Sequence, residues 1–162
     1  MKRHQAGYFR STEIVIEAWE TTLASAKALR AKTILFQCPA SFRQSVENIS
    51  NLEKFMSSID RRNMNLCWEP LKGLGYGLVG SICKALDLWH VVDPFVCKTT
   101  TPERCYFRVH GRNGWRYQYE PNELEELVSL SNRSRDGYVF FDNSKMTEDA
   151  LAFCNILYSS DP

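Results

Sequence analysis

Cys105-Tyr-Phe-Arg-Val-His-Gly-Arg-Asn-Gly-Trp115 is a short apolar run that ends in hydrogen-bonding side chains. A second run of the same kind, Gly137-Tyr-Val-Phe-Phe-Asp-Asn-Ser144, follows further along the chain. Buried strands are rich in β-branched and aromatic residues, and packing alone gives no reason for polar groups at their last positions. Several strands that end this way predict a shared site at the carboxyl ends of the strands of a barrel or an open α/β sheet.

Predicted strands alternate with predicted helices along the chain. The strands are Thr33–Gln37, Asn65–Glu69, Leu88–Asp93, Cys105–His110 and Tyr138–Asp142. Apolar residues at helical spacing predict helices at 12–30, 47–61, after the glycine-rich stretch 73–80 to about 86, from 121, and at 147–158. Strands that alternate with such helices are typically parallel. The predicted class is therefore α/β: the five strands form either an open sheet or a large part of a (β/α) TIM-barrel-like fold, which would be incomplete because a whole barrel needs about 200 residues or more.

The bulk composition is that of one globular domain over residues 1–162. Hydrophobic residues make up 44%, charged residues 24%, and the net charge is +1, so no global field attracts nucleic acid or an anionic membrane. No apolar run approaches the roughly 18 residues that span a bilayer, and the first residues form no apolar signal-peptide core. The six cysteines form no C-x-x-C pair, and we expect a reduced, cytoplasmic protein without a membrane partner.

Polar residues at the ends of the predicted strands share one face, because side chains alternate across a strand. For the first four strands these residues are Gln37, Glu69, Asp93 and His110. For the fifth strand the alternation leaves two choices open, Asp142 and Asn143. Glu69, Asp93 and His110 are of the types that bind a divalent metal or transfer protons near neutral pH. We take these three as the candidate catalytic residues and metal ligands.

Arginines on and after the fourth strand suggest the substrate class. Arg108 and Arg112 could hold a phosphate or a carboxylate through paired hydrogen bonds. The side chains expected to orient the substrate are Gln37, Asn113 and Asn143. The structural alternative is that Glu69 and Arg108 form a buried ion pair without chemistry.

Two glycine-containing motifs carry further predictions. Gly75-Tyr-Gly-Leu-Val-Gly80 matches the G-x-G-x-x-G pattern after a strand and before a helix, so dinucleotide binding is a weaker alternative. Asn113-Gly114 favours a tight turn. The alternation after that turn predicts a hairpin extension that carries Trp115, Tyr117 and Tyr119.

Five ordered segments carry a family resemblance. They are Leu35-Phe-Gln-Cys-Pro-Ala-Ser-Phe42, Cys67-Trp-Glu-Pro70, His90-Val-Val-Asp-Pro-Phe95, Tyr106-Phe-Arg-Val-His-Gly-Arg112 with Trp115-Arg-Tyr117, and Tyr138-Val-Phe-Phe-Asp-Asn-Ser-Lys-Met146. Together they resemble the YecE-like family, or domain of unknown function 72. The resemblance implies a (β/α)-barrel of which this chain would be the carboxyl-terminal portion, with strands four to eight. The family usually has paired asparagines where this chain has Asp142-Asn143, and often an arginine where it has Leu71.

Two functional hypotheses follow. The first is a metal-assisted hydrolase or lyase that acts on a phosphorylated or nucleic-acid-like substrate at the carboxyl ends of the strands. The second is a non-catalytic binding protein or vestigial barrel. Open sheet edges would then favour self-association or pairing with a partner chain.

Overall fold

The computed structural model describes residues 7–71, 73–132, 134 and 136–159. The helices are α1 (Glu13–Ala28), α2 (Val46–Ser58), α3 (Tyr76–Ala85), α4 (Pro121–Ser131) and α5 (Met146–Ser159). The strands are β1 (Thr33–Gln37), β2 (Asn65–Glu69), β3 (Leu88–Val92), β4 (Arg104–Val109) and β5 (Asp136–Phe141). The chain divides into two compact units, one up to Trp89 and the other from His90.

The first unit has a core between helices and the β1–β2 pair. The apolar face of α1 is buried as its spacing predicts, through Val15, Trp19, Leu23 and Ala26. These side chains belong to the same core as Ile34 of β1 and Leu66 of β2. The two strands are parallel, and Gln37 lies opposite Glu69 at their carboxyl ends.

Helix α2 is shorter at its carboxyl end than the sequence predicts. It begins after Ser45, whose hydroxyl accepts a hydrogen bond from the backbone N–H of Asn48 at 3.1 Å. It ends at Ser58, although the spacing predicts helix to Arg61. The backbone becomes extended at Ile59, with φ −80° and ψ 140°, and beyond it the Arg61 guanidinium donates to the carbonyl oxygen of Leu86 at 2.5 Å.

In the second unit, β3 pairs with β4 and β4 with β5, in both cases in parallel. The core includes Phe107 and Val109 of β4, Leu127 of α4, Phe141 of β5 and Phe153 of α5. Five parallel strands alternating with helices confirm the predicted α/β fold, an incomplete (β/α)-barrel type. None of the helices in the described part of the chain combines the length and the hydropathy that a membrane span requires.

The predicted hairpin after Asn113-Gly114 is wrong, because residues 111–120 form turns and loop instead of a strand. Two backbone carbonyls of the loop accept hydrogen bonds from the connection between β5 and α5. The carbonyl oxygen of Trp115 accepts from the backbone N–H of Ser144 at 2.6 Å, and that of Tyr117 accepts from the Asn143 amide at 2.7 Å. Trp115, Tyr117 and Tyr119 therefore lie in a loop that contacts the chain just after the end of β5.

His90 is a buried histidine in β3, with 3% of its surface exposed. Its Nδ1 accepts a hydrogen bond from the backbone N–H of Thr100 at 3.1 Å, and its backbone N–H donates to the Thr101 hydroxyl at 3.0 Å. Burial lowers the pKa of His90 from 6.5 to about 4. The folded protein therefore keeps this imidazole neutral in a range where the unfolded chain takes up a proton.

We expect His90 to make the protein acid-labile. The free energy of unfolding should fall as the pH drops from 6.5 towards 4, by up to about 3 kcal/mol, because only the unfolded state gains the proton. Urea unfolding of the wild type and His90→Asn across this range measures the effect. The introduced amide oxygen retains an acceptor for the Thr100 N–H but does not titrate, so most of the pH dependence should disappear. Equal slopes for the two proteins would show that other groups cause the dependence.

Candidate functional site

The first unit brings two of the predicted site residues together. Gln37 and Glu69 are cross-strand neighbours at the carboxyl ends of β1 and β2. The carbonyl oxygen of Glu69 also accepts from the backbone N–H of Cys38 at 3.0 Å, which holds the two strand ends in register. Gln37 is exposed and Glu69 is half-buried, so both lie at the edge of the core.

His110 follows β4 in the second unit and lies between two carboxylates. Its Nδ1 is 3.6 Å from Oδ2 of Asp93, and its Nε2 is 3.7 Å from Oδ2 of Asp142. The side chain is 40% exposed. A ligand can therefore reach the imidazole, which has an anionic group beside each ring nitrogen.

Asp93 links the ends of β3 and β4. Its Oδ1 accepts from the backbone N–H of Phe95 at 3.1 Å, and its Oδ2 accepts from the backbone N–H of His110 at 3.2 Å. Only 9% of its side chain is exposed. Two backbone donors thus fix this carboxylate on the Nδ1 side of the imidazole.

Asp142 follows β5 and completes the cluster. Its backbone N–H donates to the carbonyl oxygen of Val109 at 2.8 Å, and its Oδ2 lies 2.5 Å from Nη2 of Arg108. The sequence left Asp142 and Asn143 open as the residue on this face, and Asp142 is the one that contacts His110. Burial agrees with this assignment, since Phe140 is 45% exposed whereas Phe141 is 9% exposed.

Arg112 lies in the loop after His110 and is held by carboxylates of α4. Its Nε is 2.5 Å from Oε1 of Glu123, and its Nη2 is 3.0 Å from Oε2 of Glu126. The guanidinium also lies over the ring of Phe95, 4.2 Å from the centroid. Asn113 is exposed in the same turn. Arg112 and Asn113 thus lie close to His110 in sequence, and the contacts with Glu123, Glu126 and Phe95 fix the orientation of the Arg112 side chain.

The turn that carries Arg112 and Asn113 depends on glycine. Gly111 has a φ of 86°, and a Cβ at this position would clash with the carbonyl oxygen of Gly114. Both the conformation and the close approach exclude a larger side chain. His110 is therefore followed by a sharp bend that returns the chain toward α4.

Asn143 lies in a buried polar cluster with Asp149 of α5, and each residue is 2% exposed. The amide Nδ2 of Asn143 donates to Oδ2 of Asp149 at 2.6 Å and to the carbonyl oxygen of Tyr117 at 2.7 Å. Among the described residues its Oδ1 has no hydrogen-bond partner. A contact between Asn143 and substrate stays a prediction, and the observed contacts are within the protein.

The arrangement around His110 is suited to proton transfer. Within the described parts of the chain, no three His, Cys, Asp or Glu side chains are grouped so that they could hold a metal ion. The two carboxylates lie beside opposite nitrogens of one imidazole. An imidazole with an acceptor beside each nitrogen can pass a proton between a ligand and the protein.

The glycine motif forms the start of a helix. Gly75 is the residue before α3 and has a φ of −59°, which any residue can adopt, and Gly77 lies inside the helix. A dinucleotide-binding turn follows its strand directly, whereas β2 ends at Glu69. The geometry does not support the dinucleotide alternative.

Comparisons with known proteins agree with the fold. A structure of a DUF72 family protein from Thermotoga maritima is 25% identical in sequence and superposes with a TM-score of 0.69. The match covers 90% of this chain and 65% of the Thermotoga maritima chain. The structure of a DUF72 family protein from Enterococcus faecalis is 21% identical in sequence and has a TM-score of 0.73. This match covers 98% of this chain and 73% of the Enterococcus faecalis chain. The chain thus spans about two thirds of the length of the first of these relatives. No curated protein matches the chain. The model of the family described as protein of unknown function DUF72 matches residues 4–160, so the chain belongs to that family, as its motifs predict.

Proposed function

We propose that the second unit carries an acid–base site that cleaves a phosphorylated or nucleic-acid-like substrate, as a hydrolase or a lyase. The observation that supports this proposal most is the half-exposed imidazole of His110 with a carboxylate beside each nitrogen. These groups follow β3, β4 and β5, and the carboxyl ends of parallel strands are where (β/α)-barrel enzymes have their active sites.

Each residue of the cluster has a distinct proposed role. His110 donates or accepts the proton at the scissile bond. Asp93, fixed by two backbone N–H groups, orients the imidazole and stabilises its cationic form. Asp142 is the more exposed carboxylate, at 49%, and is the group on the substrate side of the ring.

An anionic substrate is proposed because two guanidinium groups lie next to the cluster. Arg108 is 17% exposed and is paired with Asp142, and Arg112 is 37% exposed and is paired with Glu123 and Glu126. A phosphate can accept two hydrogen bonds from one guanidinium and compete with the exposed carboxylate of Glu126. Asn113 remains a proposed substrate contact in this unit, and Gln37 is a separate proposed substrate contact in the first unit.

The activity can be tested with chromogenic phosphate monoesters and diesters, each with and without millimolar Mg²⁺ or Mn²⁺. Turnover without added metal would support the acid–base proposal directly. Turnover only with metal would instead support the metal-assisted form of the proposal. A folded protein that hydrolyses none of these esters would contradict the proposal.

The proposed role of Glu69 gives a separate prediction. Replacing Glu69 by Gln should lower any metal-dependent turnover by at least about 100-fold, because the amide removes a charge but keeps the shape. The melting temperature should stay within a few degrees of the wild type. Glu53→Gln, at an exposed position of α2, is the matched control and should keep full activity. Loss of folding in Glu69→Gln alone would show that Glu69 is structural.

A non-catalytic protein is the second candidate, and the exposed aromatic face of β5 favours it. Tyr138 is 37% exposed and Phe140 is 45% exposed, on the outermost strand of its unit. Such a surface suits a second copy or a partner chain. Light scattering that gives a stable oligomer, together with no turnover of any ester, would favour this alternative. The free thiols of all six cysteines support a reducing, cytoplasmic location for either function.

A further inference from the structure

Tyr119 contacts a residue within two positions of each member of the His110 cluster. Its hydroxyl accepts a hydrogen bond from the backbone N–H of Gly111, the residue after His110, at 2.8 Å. Its ring stacks on Phe95, two residues after Asp93, with centroids 5.6 Å apart and planes at 26°. It also meets the ring of Phe141, the residue before Asp142, edge to face at 5.8 Å.

Tyr119 is itself held in place from the side of α5. Its backbone N–H donates to Oδ1 of Asp149 at 3.4 Å, and the other oxygen of that carboxylate accepts from Asn143. The side chain is buried, with 5% of the residue exposed. Burial raises the pKa of Tyr119 to about 12, so the hydroxyl stays neutral across the physiological range.

We infer that Tyr119 is a positioning residue that sets the spacing of Asp93, His110 and Asp142. This inference rests on the proposed function of the cluster and names the residue that holds it together. The hydroxyl fixes the peptide that follows His110, and the ring packs against the neighbours of both aspartates. Catalysis needs the reacting groups to be placed to well within 1 Å, so loss of this support should be costly for turnover.

Tyr119→Phe tests the inference, because it removes the acceptor of the Gly111 N–H and keeps the ring. Tyr117→Phe is the matched control, since it removes a hydroxyl of the same loop that donates to Glu123 at 2.8 Å. The readout is the nitrogen chemical shifts of the His110 imidazole in ¹⁵N-labelled protein. We expect one dominant tautomer in the wild type and in Tyr117→Phe, and a mixture of tautomers in Tyr119→Phe.

For an ester that the wild type turns over, kcat should fall about 10- to 100-fold in Tyr119→Phe with little change in KM. Identical imidazole shifts in Tyr119→Phe and the wild type would overturn the inference. Equal changes of these shifts in Tyr119→Phe and Tyr117→Phe would also overturn it. If Tyr119→Phe fails to fold, Phe95→Leu removes the stacked ring instead and is examined by the same shifts. A changed tautomer in a protein that turns over no ester would support the positioning role while the proposed function fails.

Discussion

Replacing His110 by Gln should abolish most of the turnover of a phosphate ester, with a fall in kcat/KM of about 10²- to 10⁴-fold. Glutamine keeps a polar side chain of similar length but cannot accept and release a proton near neutral pH. Stability should change little, because the imidazole is 40% exposed and its contacts to Asp93 and Asp142 are longer than hydrogen bonds. Steady-state kinetics and a thermal melt of the same preparation measure both effects.

The control for this variant is Arg116→Gln. Arg116 is an exposed residue of the following loop, over the ring of Trp115, and has no contact with the cluster among its described interactions. It should retain wild-type kcat/KM. If His110→Gln retained more than about a tenth of the wild-type kcat/KM, which is far above the range expected for a lost general acid or base, the imidazole would not be the proton-transfer group.

Replacing Asp149 by Ala should lower the free energy of unfolding by about 3 kcal/mol. The carboxylate is 2% exposed and accepts from the Asn143 amide at 2.6 Å and from the Tyr119 backbone N–H at 3.4 Å. Alanine would remove the acceptor of the Asn143 amide and of the Tyr119 backbone N–H, and both donors would stay buried. Each buried donor that loses its acceptor costs about 1–3 kcal/mol. Urea denaturation of the wild type and variant gives the difference directly.

Asp149→Asn is the matched variant for this prediction. It has the same shape and keeps one oxygen acceptor, so it should be clearly more stable than Asp149→Ala. Glu148→Ala is the control on the same turn of α5, because Glu148 is an exposed residue paired only with Lys145 in the described contacts. A loss below about 0.5 kcal/mol for Asp149→Ala would mean that the buried cluster does not stabilise the unit.

The sequence predicted the strands and helices well because periodicity and polar strand ends are local signals. Strand β2 has the predicted bounds, and the buried face of α1 is the predicted one. The loop after Asn113 was mispredicted because its hydrogen-bond partners lie at Asn143 and Ser144, far along the chain. Alternation of aromatic residues there could not distinguish a strand from a packed loop.

The candidate site was predicted in part. The expectation that polar residues at the ends of parallel strands lie at the same edge of the sheet is correct for Asp93 and His110, whose side chains are 3.6 Å apart. It could not choose between Asp142 and Asn143, because the two preceding residues are both phenylalanine and give no polar–apolar contrast.

The roles of Tyr119 and Asp149 had no local signal. Glu148 and Asp149 both lie in the first turn of α5, where acids are common for reasons of helix electrostatics. Only the folded structure shows that Asp149 is buried against the loop and that Glu148 is not.

The most direct test of the acid–base site is a titration of ¹⁵N-labelled protein with inorganic phosphate, observed through the histidine side-chain resonances. His110→Gln assigns the signal of that residue, and buried His90 serves as the internal control. We predict that the His110 nitrogens shift and saturate with added phosphate, whereas those of His90 do not move. If the His110 signals stayed constant, or shifted in parallel with those of His90, the cluster would not be a phosphate-binding acid–base site.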